Sequence, residues 1–144
     1  MHPLVIEDET TLAEIVRSMR TVAVFGIKDG SRPEEPAYDI PRMLQQLGRD
    51  VIGINPTISE ALGRPTLREV GELTVAVDVL DVFRRIAMIP ELADQLLALP
   101  PERRPRTVWL QSGIRHDASA ERLAAAGMRV VQDHCLGVYA MRYR

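Results

Sequence analysis

The chain has one cysteine, Cys135, so no internal disulfide can form, which fits a reducing, cytoplasmic setting. It also has one lysine, Lys28, every other basic side chain apart from histidine being arginine. No apolar run approaches the roughly 20 residues that a membrane helix requires. Nor does the chain open on a basic region followed by an apolar stretch. The net charge of −2 gives no overall basic field to draw nucleic acid or a membrane surface. No Cys and His fall at zinc-binding spacing, and the G-x-G-x-x-G fingerprint of dinucleotide folds is missing. The apolar fraction of 46% and charged fraction of 26% are ordinary for a globular chain, and 144 residues are expected to form one domain over 1–144.

Against those absences stands one well-marked pattern. Glu7 to Met19 carries Leu12, Ile15, Val16 and Met19 at helical spacing, with acids early and Arg17 and Arg20 late, so residues 1–20 are read as a leading amphipathic helix. Five short apolar runs follow: Thr21–Ile27, Asp50–Ile54, Val75–Val82, Thr107–Leu110 and Met128–Gln132. Helical segments separate most of them, with one starting near Tyr38–Asp39, one over Ile89–Leu99 and one over Ala118–Ala126 capped by Asp117. Alternation of this kind predicts an α/β fold: a Rossmann-like, doubly wound, parallel five-stranded sheet with helices on both faces. Right-handed crossovers favour the order 3-2-1-4-5, with ligands bound where the order reverses, beyond the carboxyl ends of the strands.

Five segments therefore face the ligand edge. The first is Gly26, Ile27, Lys28, Asp29, Gly30, Ser31 and Arg32, a glycine-containing turn between a strand and a helix. Such a turn puts backbone N–H groups beside a phosphate, although an ordinary βα bend has the same look. The second is Asn55-Pro56, where an NAD-binding domain would carry an acid for the ribose hydroxyls, so NAD is disfavoured. The others are Phe83-Arg84-Arg85, Gln111–Ile114 and Asp133–Cys135. Lys28, Arg32, Arg84 and Arg85 share this edge and suit a ligand with several phosphates through charge-assisted hydrogen bonds. His134 and Cys135 are adjacent, but neighbours on an extended chain point to opposite faces, so they need not form a nucleophilic pair. Asp78 and Asp81 lie on opposite faces of their run and support no carboxylate dyad. No catalytic or metal-binding constellation emerges.

The succession VAVFGIKDGSRPEEPAY, VIGINP, VDVLDVFRR, VWLQSGI and VVQDHC resembles the small CoA-binding proteins related to the CoA-binding domain of succinyl-CoA synthetase α subunits. The resemblance spans roughly Thr21 to Gly137 and implies a Rossmann-like domain that binds coenzyme A or an acyl-CoA. By similarity, the loop Gly26, Ile27, Lys28, Asp29, Ser31 and Arg32 would cradle the nucleotide phosphates, and Asn55 and Pro56 would lie near the adenosine. Val82, Phe83, Arg84 and Arg85 would line the adenine and pantetheine path, and Gln111 and Gly113 would sit where the synthetase has its own glycine turn. Departures from the family are Pro36-Ala37-Tyr38, where a Ser-Tyr pair is common, and Thr57-Ile58-Ser59, which lacks a basic residue after the proline. Recognition of the 3′-phosphate then falls to Arg32 or Arg64. The resulting expectation is a small-molecule binder without evident chemistry of its own, with room for a protein partner or a homo-oligomer. The alternatives are a subunit of an acyl-CoA ligase that needs a partner chain, or a small NAD(P)-binding protein.

Overall fold

The computed structural model describes every residue from Met1 to Arg144. In chain order its elements are α1 (Glu9–Ser18), β1 (Thr21–Phe25), α2 (Pro36–Gln46), β2 (Asp50–Ile54), a two-residue hairpin of β3 (Glu60–Ala61) and β4 (Arg64–Pro65), and β5 (Val79–Val82). There follow α3 (Ile89–Leu97), β6 (Thr107–Leu110), α4 (Asp117–Ala125), β7 (Arg129–Val131) and α5 (Leu136–Arg142), with three single 3-10 turns between elements. Five strands form one parallel sheet in the order β2-β1-β5-β6-β7. The strands read as nearly unbroken apolar runs because both faces of the sheet are covered.

Alternation along each strand decides which side chain meets which layer. Ala23, Phe25, Leu80, Val82, Val108 and Leu110 point to the layer of α3 and α4, meeting Leu92, Leu96 and Leu123. Val22, Val24, Val79 and Trp109 point the other way, onto Leu12, Ile15, Leu44 and Tyr139 of α1, α2 and α5. The doubly wound α/β architecture expected from the sequence is thus present.

The strand order carries one correction of detail. Val75–Val77 are not strand, and Val75 is exposed; pairing begins only at Val79. That strand does not lie outside β2 but beside β1, with Val22 opposite Val79 and Phe25 opposite Val82. The position outside β2 is taken instead by a single parallel rung at Leu67, whose N–H bonds the Gly53 carbonyl while Asn55 N–H bonds the Leu67 carbonyl. With that rung counted as the third strand, the pattern runs 3-2-1-4-5 and on to β7 as a sixth member, and the order reverses between β1 and β5. A matching rung closes the far edge, where Val5 pairs with Val130 of β7.

Three helix boundaries also differ from expectation. α2 begins at Pro36, ahead of Tyr38–Asp39, with the proline where its missing N–H is no loss. His116, not Asp117, caps α4, its Nδ1 accepting the Ser119 N–H at 3.2 Å. The residues after Cys135, for which the sequence pattern predicts no element, form α5.

Candidate functional site

A cleft of about 730 Å³ opens over the carboxyl ends of β1, β2, β5 and β6, at the reversal of strand order. Its size lies within the usual range for small-molecule sites. Gly26 forms part of its floor. It stands at φ +89°, in the left-handed region, and a Cβ there would overlap the carbonyl oxygen of Phe83. Only glycine lets the loop after β1 pass this close to the loop after β5. Two loops that the sequence separates by more than fifty residues are thereby joined.

Ile27 turns into the core and is 1% exposed, but its carbonyl accepts the Asn55 side-chain N–H at 2.8 Å. The Asn55 Oδ1 in turn accepts the Thr57 N–H and hydroxyl, each at 2.8 Å. Asn55 therefore ties the end of β2 to the glycine loop, and Asn55, Pro56 and Thr57 form one wall. Lys28 lines the cleft, and its N–H bonds the Ala37 carbonyl at 3.0 Å, so the loop lies against the first turn of α2. Glu35, Pro36, Ala37 and Ile40 from that turn complete the same side.

The rest of the glycine loop turns to its own contacts. Asp29 Oδ1 accepts both the backbone N–H and the hydroxyl of Ser31. Those bonds, the hydroxyl foremost, hold the Asp29 carboxyl below its ordinary pKa. Arg32 stands largely exposed, 3.5 Å from Glu35. Asp29, Ser31 and Arg32 lie outside the cleft lining, and Val82 is sealed in the core at 0% exposure.

On the opposite side are Phe83, Arg84 and Arg85. The Arg84 guanidinium lies over the Phe25 ring, 5.1 Å from its centroid, and its Nε is enclosed without a partner. Neither arginine forms a salt bridge, and neither does Lys28. Three unpaired cations thus meet one carboxylate, Glu35, which is already shared with Arg32.

At the β6 end the lining consists of Gln111, Ser112, Ile114 and Cys135. Gln111 is 5% exposed, and its Oε1 accepts the Leu136 N–H at 3.0 Å. Gly113 faces away from the cleft at φ +82°, its N–H donated to Asp133 Oδ1 at 2.6 Å. His134 and Cys135 lie beyond β7, after a left-handed backbone turn at Asp133, and part company. The His134 ring packs edge-on to Trp109 and Tyr139, while Cys135, half-buried, lines the cleft. No group of three or more His, Cys, Asp or Glu side chains is placed to hold a metal ion.

Of the residues that sequence reasoning singled out, Gly26, Lys28, Asn55, Pro56, Phe83, Arg84, Arg85 and Gln111 converge on the cleft. The residues it passed over come from the first turn of α2 and from the flanks of the strand ends. Pro36 was the available signal, since a proline after an acidic pair reads well as the first residue of a helix.

A family model for the CoA binding domain matches residues 20–141, nearly the whole chain. The chain belongs to the CoA binding domain family. Among relatives of this CoA binding domain, the uncharacterized protein YneT of Bacillus subtilis (strain 168) is 30% identical over 127 residues, or 88% of this chain and 90% of YneT. Among solved structures, the cell-free ID.343 protein from Thermus thermophilus superposes with a TM-score of 0.85 at 34% identity, covering 96% of this chain and 100% of that one. A hypothetical protein from Pyrococcus horikoshii OT3 shares the fold at a TM-score of 0.83 and 23% identity, over 95% of this chain and 92% of that one.

Proposed function

We propose that this chain binds coenzyme A, free or acylated, in the cleft at the reversal of strand order. One observation carries the reading: in a chain of the CoA binding domain family, Lys28, Arg84 and Arg85 line that cleft with no carboxylate partner. Lys28 and Arg84 are half-buried and Arg85 is exposed, and like charges gathered along one cleft repel one another unless an anion completes them. A pyrophosphate with a further 3′-phosphate is such an anion, and arginine engages phosphate oxygens in pairs. In this arrangement the Gly26–Lys28 backbone and the first turn of α2 face the pyrophosphate, where helix N–H groups favour negative charge. Asn55-Pro56 lies beside the adenosine, and Phe83 and Arg84 flank the path of the pantetheine. Ile27, Asp29, Ser31, Arg32, Val82 and Gly113 support the loops that carry these groups. An NAD site is the weaker reading, because Asn55 occupies the place of the ribose-binding acid and its amide is spent on Ile27 and Thr57.

Calorimetric titration with CoA, 3′-dephospho-CoA and NAD side by side tests the proposal. CoA is expected to bind near micromolar, about −8 kcal/mol, with clear weakening for the dephospho form. Arg84→Ala is expected to weaken CoA binding by about 10- to 100-fold, the effect of one lost hydrogen bond to a charged group. Phe83→Ala should weaken it as well. Heat with NAD and none with CoA, or two variants that bind like the parent, would overturn the reading.

A further inference from the structure

We infer that Cys135 is the thiol partner of the ligand's own sulfur, and that the cleft exchanges disulfides between the two. This rests on the coenzyme A reading above and deepens it. The strand ends lie along the sheet edge in the order Asn55-Pro56, Gly26–Lys28, Phe83–Arg85, Gln111–Ser112, Cys135. Four strand spacings separate the first from the last, about 19 Å. A ligand with its adenosine at the β2 end and its phosphates over the three cations can only run onward toward β6 and β7. Its thiol arm therefore ends beside Cys135.

The second observation is independent of the cysteine. Gln111 is 95% buried, and its Oε1 is fixed by the Leu136 N–H. Its Nε2 has no hydrogen-bond partner in the protein, and Gln111 lines the cleft. A nearly buried N–H donor left free calls for an acceptor on the ligand. The amide carbonyls of a pantetheine arm supply one. The same Gln111–Leu136 bond holds the residue next to Cys135, so the donor and the thiol keep a fixed relation. His134 takes no part, because its Nδ1 faces the Gln132 carbonyl and its ring packs on Tyr139.

The exchange balances without another oxidant. The Cys135 thiolate attacks one sulfur of a coenzyme A disulfide, the ligand S–S bond breaks, and a Cys135–ligand S–S bond forms. The second half of the disulfide departs as a thiolate and takes a proton from water, as Cys135 earlier gave one up. A thiol reductant reverses the reaction and frees both sulfurs.

Intact-mass labelling of the full chain tests this, with coenzyme A disulfide and hydroxyethyl disulfide compared at equal concentration. The expected result is one coenzyme A per chain, removed by dithiothreitol and absent in Cys135→Ser. Labelling by coenzyme A disulfide should exceed that by the small disulfide by at least about 100-fold, since binding brings the sulfurs together. Gln111→Leu should slow the first reaction by about tenfold, as expected for one lost hydrogen bond, and leave the second unchanged. Equal rates with the two disulfides, or no labelling, would overturn the proposal. Titration of reduced wild-type protein with reduced coenzyme A separates the two readings. Binding without labelling removes the exchange alone, and no binding removes the coenzyme A reading with it.

Discussion

Asp81 and Asp78 lie three residues apart near one strand, and their surroundings drive them in opposite directions. Asp81 sits in mid-strand on β5, opposite Val24 on one side and Trp109 on the other, at 0% exposure. Neither carboxyl oxygen has a partner, and burial pushes its pKa well above the ordinary range. The proton is bound more tightly in the fold than in the unfolded chain, so stability falls as pH rises from the unfolded value toward the folded one. The slope is about 1.4 kcal/mol per pH unit in that window. Urea unfolding at stepped pH should therefore show a decline in the parent that is missing in Asp81→Asn; parallel curves would show that Asp81 is not the cause. Asp78 precedes β5 and accepts the N–H groups of Arg20 and Thr21 at 2.8 and 3.0 Å. Burial opposes its charge, but the bonds from Thr21 and Arg20 outweigh it and hold its carboxyl below the ordinary value. Its contribution is present above the unfolded pKa and lost as pH falls through the folded one. Sequence pattern marked both acids as interruptions of an apolar run; only the neighbouring strand start distinguishes them. Gly26→Ala acts at the same scale. The left-handed backbone alone costs about 1–3 kcal/mol, and the overlap with Phe83 must push the two loops apart. Both a lowered denaturation midpoint and weaker coenzyme A binding are expected; an unchanged protein would mean that the loops separate freely.

At the scale of elements, α5 and the β3–β4 hairpin were hidden, and the central strands and the other helices were not. Strands β1, β2 and β6 announce themselves as apolar runs, and α1 carries its apolar stripe and its cap, with Asp8 accepting the Thr11 N–H at 2.9 Å. α5 has seven residues, including Gly137, and its local propensity is poor. Tertiary contacts hold it instead. The hydroxyls of Tyr139 and Tyr143 both donate to the Glu9 carboxylate of α1. Gly137 lies where a side chain would meet Ile40 and Met43 of α2. These contacts join positions more than ninety residues apart, which no local pattern encodes. Glu9→Ala should accordingly speed hydrogen exchange in α5 amides without changing that of β5 and β6; uniform change would point to global loss of stability. The cleft was legible in the same proportion. Strand ends and their cations could be read from apolar runs and charge, and Cys135 with them, whereas the Glu35–Ile40 side depended on where α2 starts. The strand order was partly legible, because the Leu67 rung is a single residue with no strand pattern of its own.

For the whole molecule, a net charge of −2 coexists with a cluster of three unpaired cations at one edge. Attraction of a polyanionic ligand then comes from that edge alone and is screened over about 10 Å at 0.1 M salt. Raising sodium chloride from about 50 to 500 mM is expected to weaken coenzyme A binding several-fold, measured by calorimetry. Salt-independent affinity would mean that the cations do not meet the phosphates. The two single rungs at Leu67 and Val5 bear on assembly. One occupies the hydrogen-bonding groups at the carboxyl end of β2 and the other those at the middle of β7, each with irregular chain, a device by which natural sheets limit edge-to-edge growth. Joining of sheets end to end is thereby hindered at both edges. Removing residues 1–6 would bare β7, and light scattering on warming should then reveal strand-mediated aggregation that the intact chain resists.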